Sequence, residues 1–317
     1  MKWKNIKTLF IILFAAVTVY LSVIIGVRYR EMSYVDEQVA RDAIELLAAY
    51  GITVNEETIP KKLIKYDVVE GEFSSDYFQN GVGISLKSDD FTSYATPSGS
   101  IKYINNSNGS TFEHFSPFDL VYKKVADSIG GVEYKYEIDG DDVLVENEKI
   151  ENRIKNELIS LFGSDAVSRD DNNGFSVKVK SVYHEKILNI YKANLIQTLD
   201  GCEIYGNEIY VEMDSSGLNY LSGTMILNKS YSSYTADLYD QVNILFIERQ
   251  HLVSNTEQDQ NSEAVKLDKT VSSMETVYCV SWSYDRSKYY LIPSWKIVYS
   301  DGTESIINAV NGKVYVD

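Results

Sequence analysis

The chain holds only three histidines, His114, His184 and His251, so imidazole chemistry has few places to sit. His184 lies in YHEKIL, which has the start of a zinc-protease helix motif. The second ligand of that motif would stand four positions on, and Leu188 stands there instead. The stretch also reads as strand, which makes His184 a strand-surface histidine. His114 follows Glu113 in a polar segment. His251 sits beside Gln250 near a helix end, where an imidazolium is mildly favoured. Asp139, Asp141 and Asp142 in IDGDDV have calcium-ligand chemistry, but the closing Glu of a calcium loop is missing, so they read as a solvated hairpin turn. There is no G-x-S-x-G elbow, no phosphate-cradling glycine loop and no Cys-x-x-Cys. Catalytic residues, cofactor and metal are therefore all expected to be none, and the chain is expected not to be an enzyme. A surface hydrolase built from dispersed carboxylates stays open, because Asp and Glu together number 46. Cys202 and Cys279 are a possible disulfide that geometry alone decides.

Charge narrows the partners. Lys and Arg number 30 against those 46 acids, for a formal net charge of −16. The first 30 residues contain Lys2, Lys4, Lys7, Arg28 and Arg30 and no acid, so the remainder is more acidic still. Such a body repels phosphate backbones, and nucleic acid is not expected as a partner. Thr8 to Val27 is a run of 20 residues without a charge, long enough as a helix to span a hydrocarbon core of roughly 30 Å. Arg28-Tyr29-Arg30 follows, with no small-residue cleavage site, which reads as an uncleaved signal-anchor. The positive-inside tendency puts residues 1–7 in the cytoplasm and the bulk of the chain outside the cell membrane. Within the span, Thr18, Ser22 and Gly26 recur every four residues, with Ala15 one turn before. Small residues at that spacing let a second helix approach closely in lipid, so these four are candidate partner-binding residues.

The elements behind the anchor alternate between helix and strand patterns. Ser33-Tyr34-Val35-Asp36 has capping-box form, and Val35, Val39, Ala43, Leu46, Leu47 and Tyr50 follow at helical spacing before Gly51. Short strands are predicted through Ile104. Ser116-Pro117 predicts a second helix carrying Phe118, Val121, Val125 and Ile129. A hairpin at Asp139-Gly140 leads to a third helix over Lys149 to Phe162, and Phe175 to Leu227 reads as several long strands. A fourth helix is predicted over about Leu238 to Leu252, then an exposed loop over Ser254 to Ser273. In the closing meander, Pro293 fixes the start of a strand, Trp295 and Ile297 face one side, and Asp301-Gly302 and Asn311-Gly312 make turns. The pattern is α+β: a single transmembrane helix (8–27) followed by helices packed on antiparallel sheets. Two modules are expected, a membrane-proximal one over 31–148 and a distal one over 149–317.

Three segments together, MKWKNIKTLFIILF, VDEQVARDAIELLAAYGITVNEETIP and LIPSWKIVYSDGTESIINAVNGKVYVD, resemble the YycI family. These are single-span accessory proteins of Gram-positive bacteria. The resemblance rests on Trp3 before the anchor and on Gly51, Ile52, Val54, Ile59 and Pro60 after the first helix. It closes on Pro293, Trp295, Ile297, Asp301, Gly302, Asn308, Ala309, Gly312 and Val314. The closing signature is shared with PepSY-type domains and with the sister family YycH. The resemblance implies a regulator in a two-component system, tuning a cell-wall sensor histidine kinase of the WalK (YycG) type together with a YycH-like partner. An extracytoplasmic PepSY-type module, protease-inhibitory or wall-associated, is the alternative.

Overall fold

The computed structural model describes residues 36–61, 66–72, 90–97, 100–114, 118–124, 143–145, 148–164, 167–168, 174–227, 231–257, 267–285 and 287–316. Helix α1 (Glu37–Ala49) is followed by strand β1 (Ile52–Val54), a 3-10 turn (Glu56–Thr58) and β2 (Val68–Glu72). Strands β3 (Phe91–Ala95), β4 (Ile101–Asn105), β5 (Thr111–His114), β6 (Asp119–Lys123) and β7 (Val143–Leu144) precede helix α2 (Glu148–Phe162). Next come β8 (Phe175–Glu185), β9 (Ile190–Leu199), β10 (Cys202–Asp214), β11 (Gly217–Thr224) and β12 (Tyr231–Tyr234). Helix α3 (Gln241–Glu257) leads to β13 (Lys269–Trp282), β14 (Lys288–Tyr299), β15 (Glu304–Asn308) and β16 (Val314–Val316). This is a sheet-rich α+β organisation. None of the described helices is long and apolar enough to cross a membrane, and the expected span over Thr8–Val27 lies outside the described residues.

Contacts divide the chain into two units, and the division is not the single cut expected near 148. The described residues up to Tyr66, with Ala236–Thr276 and those from Ser294 on, form a terminal unit. Asp67–Thr235 and Val277–Pro293 form a central unit. Strand pairing between distant segments overrides sequence order here.

In the terminal unit, Asp36 caps α1 itself: its carboxylate accepts from the backbone N–H of Gln38 and Val39 at 2.8 and 3.3 Å. It is therefore the cap, not the third residue of a box opened by Ser33. The buried face of α1 is Ala40, Ala43 and Leu47, while Val39 and Leu46 face out. Gly51 adopts φ +83° and ends the helix, with its N–H bonded to the Ala48 carbonyl. Strand β1 then runs parallel to β13, Ile52 opposite Lys269 and Val54 opposite Val271. The final meander is antiparallel, Trp295 opposite Ile307 and Ile297 opposite Ser305, with β16 beyond. Leu47, Ile52, Val54, Ile59, Ile244, Trp295, Ile297, Ile307 and Ala309 share one hydrophobic core. Burying each Leu, Ile or Val side chain among them contributes about 1.5–3 kcal/mol. Helix α3 starts at Gln241 behind its cap Asp240, whose carboxylate accepts from Asn243 N at 2.8 Å. It runs to Glu257, so the predicted loop over Ser254 to Ser273 is helix at its beginning and strand from Lys269 on.

The central unit is a run of antiparallel pairings from β3 through β4, β5, β6, β11, β10, β9 and β8 to β7. The expectation of purely antiparallel sheets fails twice, at β1 with β13 and at β10 with β13. The segment read as a second helix is strand β6: Leu120 and Tyr122 alternate with Val121 and Lys123, pairing β5 on one side and β11 on the other. The helical spacing of Phe118 and Val121 lost to this two-sided pairing. The rest of that predicted helix and the Asp139-Gly140 turn lie outside the described residues. Along one face, Val182, Ala193, Val211, Leu221, Tyr122 and Phe112 stand opposite one another in register. Helix α2 buries Ile154, Leu158, Leu161 and Phe162 and packs against β8 and β11. Arg153 Nη2 donates to the carbonyls of Asp214 and Ser215 at 2.7 and 3.0 Å, tying the helix to the β10–β11 turn.

Cys202 and Cys279 are both buried free thiols. The parallel register sets Glu203 opposite Val277 and Ile204 opposite Tyr278, leaving the two cysteines three positions apart along the strands. At about 3.3 Å per residue that offset is about 10 Å, beyond the roughly 7 Å a disulfide tolerates.

Candidate functional site

The residues singled out from the sequence fall into three groups. Trp3, Ala15, Thr18, Ser22 and Gly26 lie outside the described residues. Gly51, Ile52, Pro60, Trp295, Asp301, Gly302, Asn308, Ala309 and Gly312, from the two ends of the chain, come together in the terminal unit. Pro293 is the last residue of the central unit and sits inside β14, not at its start. The pairing of β14 with β2 ends at Leu291 and its pairing with β15 begins at Ser294, so the missing N–H of Pro293 falls between two ladders.

In the terminal unit these residues build structure. Trp295 is 1% exposed, and its indole N–H donates to the Tyr239 carbonyl at 3.2 Å. The Pro60 carbonyl accepts from Gln241 Nε2. Asn308 is buried; its Oδ1 accepts from Val310 N and Asn311 N, and its Nδ2 donates to the Tyr315 hydroxyl. Gly302 takes φ +83° in the turn that Asp301 holds by accepting from Thr303 N at 2.9 Å. Hydrogen bonding from Lys269, then from Thr303, keeps the Asp301 carboxyl well below the usual carboxylate range. Sequence reasoning missed the polar centre of this unit. Glu248 on α3 is buried and accepts from the Tyr299 hydroxyl at 2.6 Å and from the Ser305 hydroxyl at 2.9 Å. Burial, and then the Glu248 carboxylate, push the Tyr299 hydroxyl far above the usual tyrosine range.

The central unit carries the concave feature. A cavity of about 460 Å³ opens where β8, β9, β10 and β11 lie side by side, within the ordinary size of small-ligand sites. Lys180, Ser181, Asn194, Glu208, Tyr210 and Ser222 line it. Register explains why they meet: Ser181 stands opposite Asn194, Asn194 opposite Tyr210 and Tyr210 opposite Ser222, so all four point to one face. Glu208 lies two residues before Tyr210 on β10 and therefore shares that face. Register irregularities at Val179/Ser181 and at Glu203/Glu208 break the flat ladder around it. Gly223 at φ +146° lets β11 come close: a Cβ there would overlap the Glu208 carbonyl oxygen and stand 2.8 Å from the Ile209 Cα.

Several of these groups are already engaged. The Tyr210 hydroxyl donates to Glu212 Oε1 at 2.8 Å, which fixes the ring. Asn194 Nδ2 reaches Ser181 Oγ at 3.4 Å, leaving the Asn194 carbonyl oxygen as an acceptor. Lys180 Nζ lies 3.3 Å from Glu203 Oε1. Among the described residues nothing pairs with the Glu208 carboxylate or the Ser222 hydroxyl. No short motif could have announced this site, because it takes one or two polar residues from each of four strands.

The histidines are dispersed. His184 stacks on Tyr191 at 4.6 Å and shares a hydrogen bond with Asn189 at 3.0 Å, as a strand-surface histidine would. His114 ends β5 and His251 lies within α3. Among the described residues no group of His, Cys, Asp or Glu is placed to hold a metal ion.

No family of known proteins matches the chain by sequence, and no curated protein does. Similar solved structures include a protein of Eubacterium rectale ATCC 33656 described as uncharacterized. It is 14% identical with a TM-score of 0.43, covering 84% of this chain and 90% of that one. The Bacillus megaterium YpeB C-terminal domain is another, 12% identical with a TM-score of 0.30, covering 90% of this chain and 98% of that one. Similarity at this level assigns neither a family nor an activity.

Proposed function

We propose that the protein is a membrane-anchored, non-enzymatic regulator of the YycI kind, acting on a WalK-type sensor histidine kinase together with a YycH-like partner. One observation carries the reading beyond sequence resemblance. Among the described signature residues, Ile52, Val54 and Ile59 from one segment and Trp295, Ile297 and Ala309 from the other share one hydrophobic core. A signature split between the chain ends and joined in space is a folding unit, and its parts have a reason to occur together.

The anchor supplies the means of action. A bound regulator changes a kinase only by contacting one of its states more favourably than another. The small-residue face of Ala15, Thr18, Ser22 and Gly26 is where that difference would arise inside the bilayer. The test is to solubilise the full-length protein from its native membrane in mild detergent and identify what co-purifies. A parallel preparation carries Thr18→Leu, Ser22→Leu and Gly26→Leu. A sensor histidine kinase and a YycH-like protein are expected with the native chain and are expected to be lost with the leucines. Absence of a kinase from both preparations contradicts the reading.

A further inference from the structure

We propose that the cavity on the central unit binds an alkylammonium group, in a small amine or on a lysine-like side chain. The inference goes beyond the regulatory reading and does not depend on it. Three observations select a cation. First, Glu208 carries the unneutralised charge at this site, since Lys180 already lies 3.3 Å from Glu203. Second, the acceptors suit an ammonium: the exposed Glu208 carboxylate, the Asn194 carbonyl oxygen and the Ser222 hydroxyl all belong to residues that line the cavity, and an ammonium brings only N–H donors to them. Third, the Tyr210 ring stands between Asn194 and Ser222 with its hydroxyl tied to Glu212, presenting a fixed aromatic surface to an alkyl chain and its charge.

The competing chemistries fit less well. A phosphate or carboxylate would meet Glu208 and a chain of formal net charge −16, with one already paired lysine to hold it. A purely apolar ligand would leave the Glu208, Asn194 and Ser222 acceptors without partners. A neutral polyol satisfies the hydrogen bonds but gains nothing from the unneutralised charge of Glu208.

The experiment is calorimetric titration of the purified full-length protein in detergent with four probes. These are 1,5-diaminopentane, an Nα-acetyl lysine amide, maltose and inorganic phosphate. Both amines are expected to bind, more weakly as salt rises, and the tighter of the two identifies a free amine or a peptide-borne one as the source. Glu208→Gln is expected to weaken amine binding about tenfold. Ser222→Ala is expected to weaken it about threefold. Lys180→Gln is expected to tighten it about twofold by removing a like charge. The Lys180 variant tests the sign, since an anion site would respond the other way. Circular dichroism checks that each variant keeps its fold. Maltose binding as tightly as the amines, phosphate binding that Lys180→Gln weakens, or no amine binding at all would each overturn the proposal.

Discussion

Glu248 of the terminal unit and Glu208 of the central unit sit in opposite surroundings, one buried and one exposed. The terminal unit closes its polar atoms inward: Glu248 holds two hydroxyls within a core that also contains Trp295, Ile297 and Ile307. The central unit covers one sheet face with α2 and keeps a row of polar side chains around a cavity on another. A buried carboxylate whose neighbours are satisfied specifies one arrangement of the core. An unpaired carboxylate at an open cavity contributes nothing to folding and remains available to a ligand. Most of the described signature residues thus lie in the unit with the closed core, and the open cavity lies in the other.

The sharpest test of the closed unit is Trp295→Ala. It removes a fully buried indole and its bond to the Tyr239 carbonyl, and is expected to destabilise by about 3–5 kcal/mol in urea unfolding. A loss below about 1 kcal/mol would mean that the core does not depend on it. Glu248→Ala comes next. Stranding the Tyr299 and Ser305 hydroxyls is expected to cost about 3 kcal/mol, and restoring little stability with the added change Tyr299→Phe would argue against a shared hub.

Gly223→Ala probes the open unit. Its positive φ and the overlap with the Glu208 carbonyl oxygen are expected to cost about 2 kcal/mol and to distort the cavity, seen as lost amine binding. Unchanged stability and binding would show that the close approach of the strands is not needed.

Alkaline pH separates the units by a smaller effect. An unfolded tyrosine ionises near 10, whereas Tyr299 is raised above that by burial first and by Glu248 second. The folded group thus contributes stability that is intact below about pH 10 and is lost as pH rises beyond it. Tyr299→Phe should cost about 1 kcal/mol at neutral pH and flatten that alkaline decline in thermal midpoint. A decline of unchanged slope would assign it to other groups. The smallest effect belongs to the β13–β14 turn of the central unit. There Asp285 is lowered to about 2 by hydrogen bonds from Ser283 first and then from Ser287. Its contribution is present above the ordinary carboxylate range near 4 and is lost as pH falls toward 2. Asp285→Asn should therefore narrow its gap in thermal midpoint from the native chain on acidification, and a constant gap would contradict this.

What the sequence made legible was local. Helix α2 could be read because Ile154, Leu158 and Leu161 recur at helical spacing and stop at Gly163, which takes φ +89°. The closing meander was equally readable, since Asp301-Gly302 and Asn311-Gly312 supply the left-handed positions that its turns require. Long-range pairing was hidden. Nothing in residues 119–123 shows that β5 and β11 will flank them, so spacing alone suggested a helix. On α1 the expected Ala43 and Leu47 do pack inward, but Val39 and Leu46 are apolar yet exposed, and the small Ala40, which carries little apolar signal, completes the buried face. Edge strand β12, Tyr231–Tyr234, is exposed throughout and has no alternation to read. Glu248 and the cavity were beyond reach for the same reason: each depends on partners brought in from distant strands.

The proposed regulation of a sensor kinase through the anchor is open to reconstitution. The kinase that co-purifies would be placed in lipid vesicles alone, with the native chain, or with the Thr18→Leu, Ser22→Leu, Gly26→Leu variant, and its autophosphorylation followed. The native chain is expected to change the rate, in either direction, and the leucine variant to leave it unchanged. The same kinase rate with and without the native chain would contradict it.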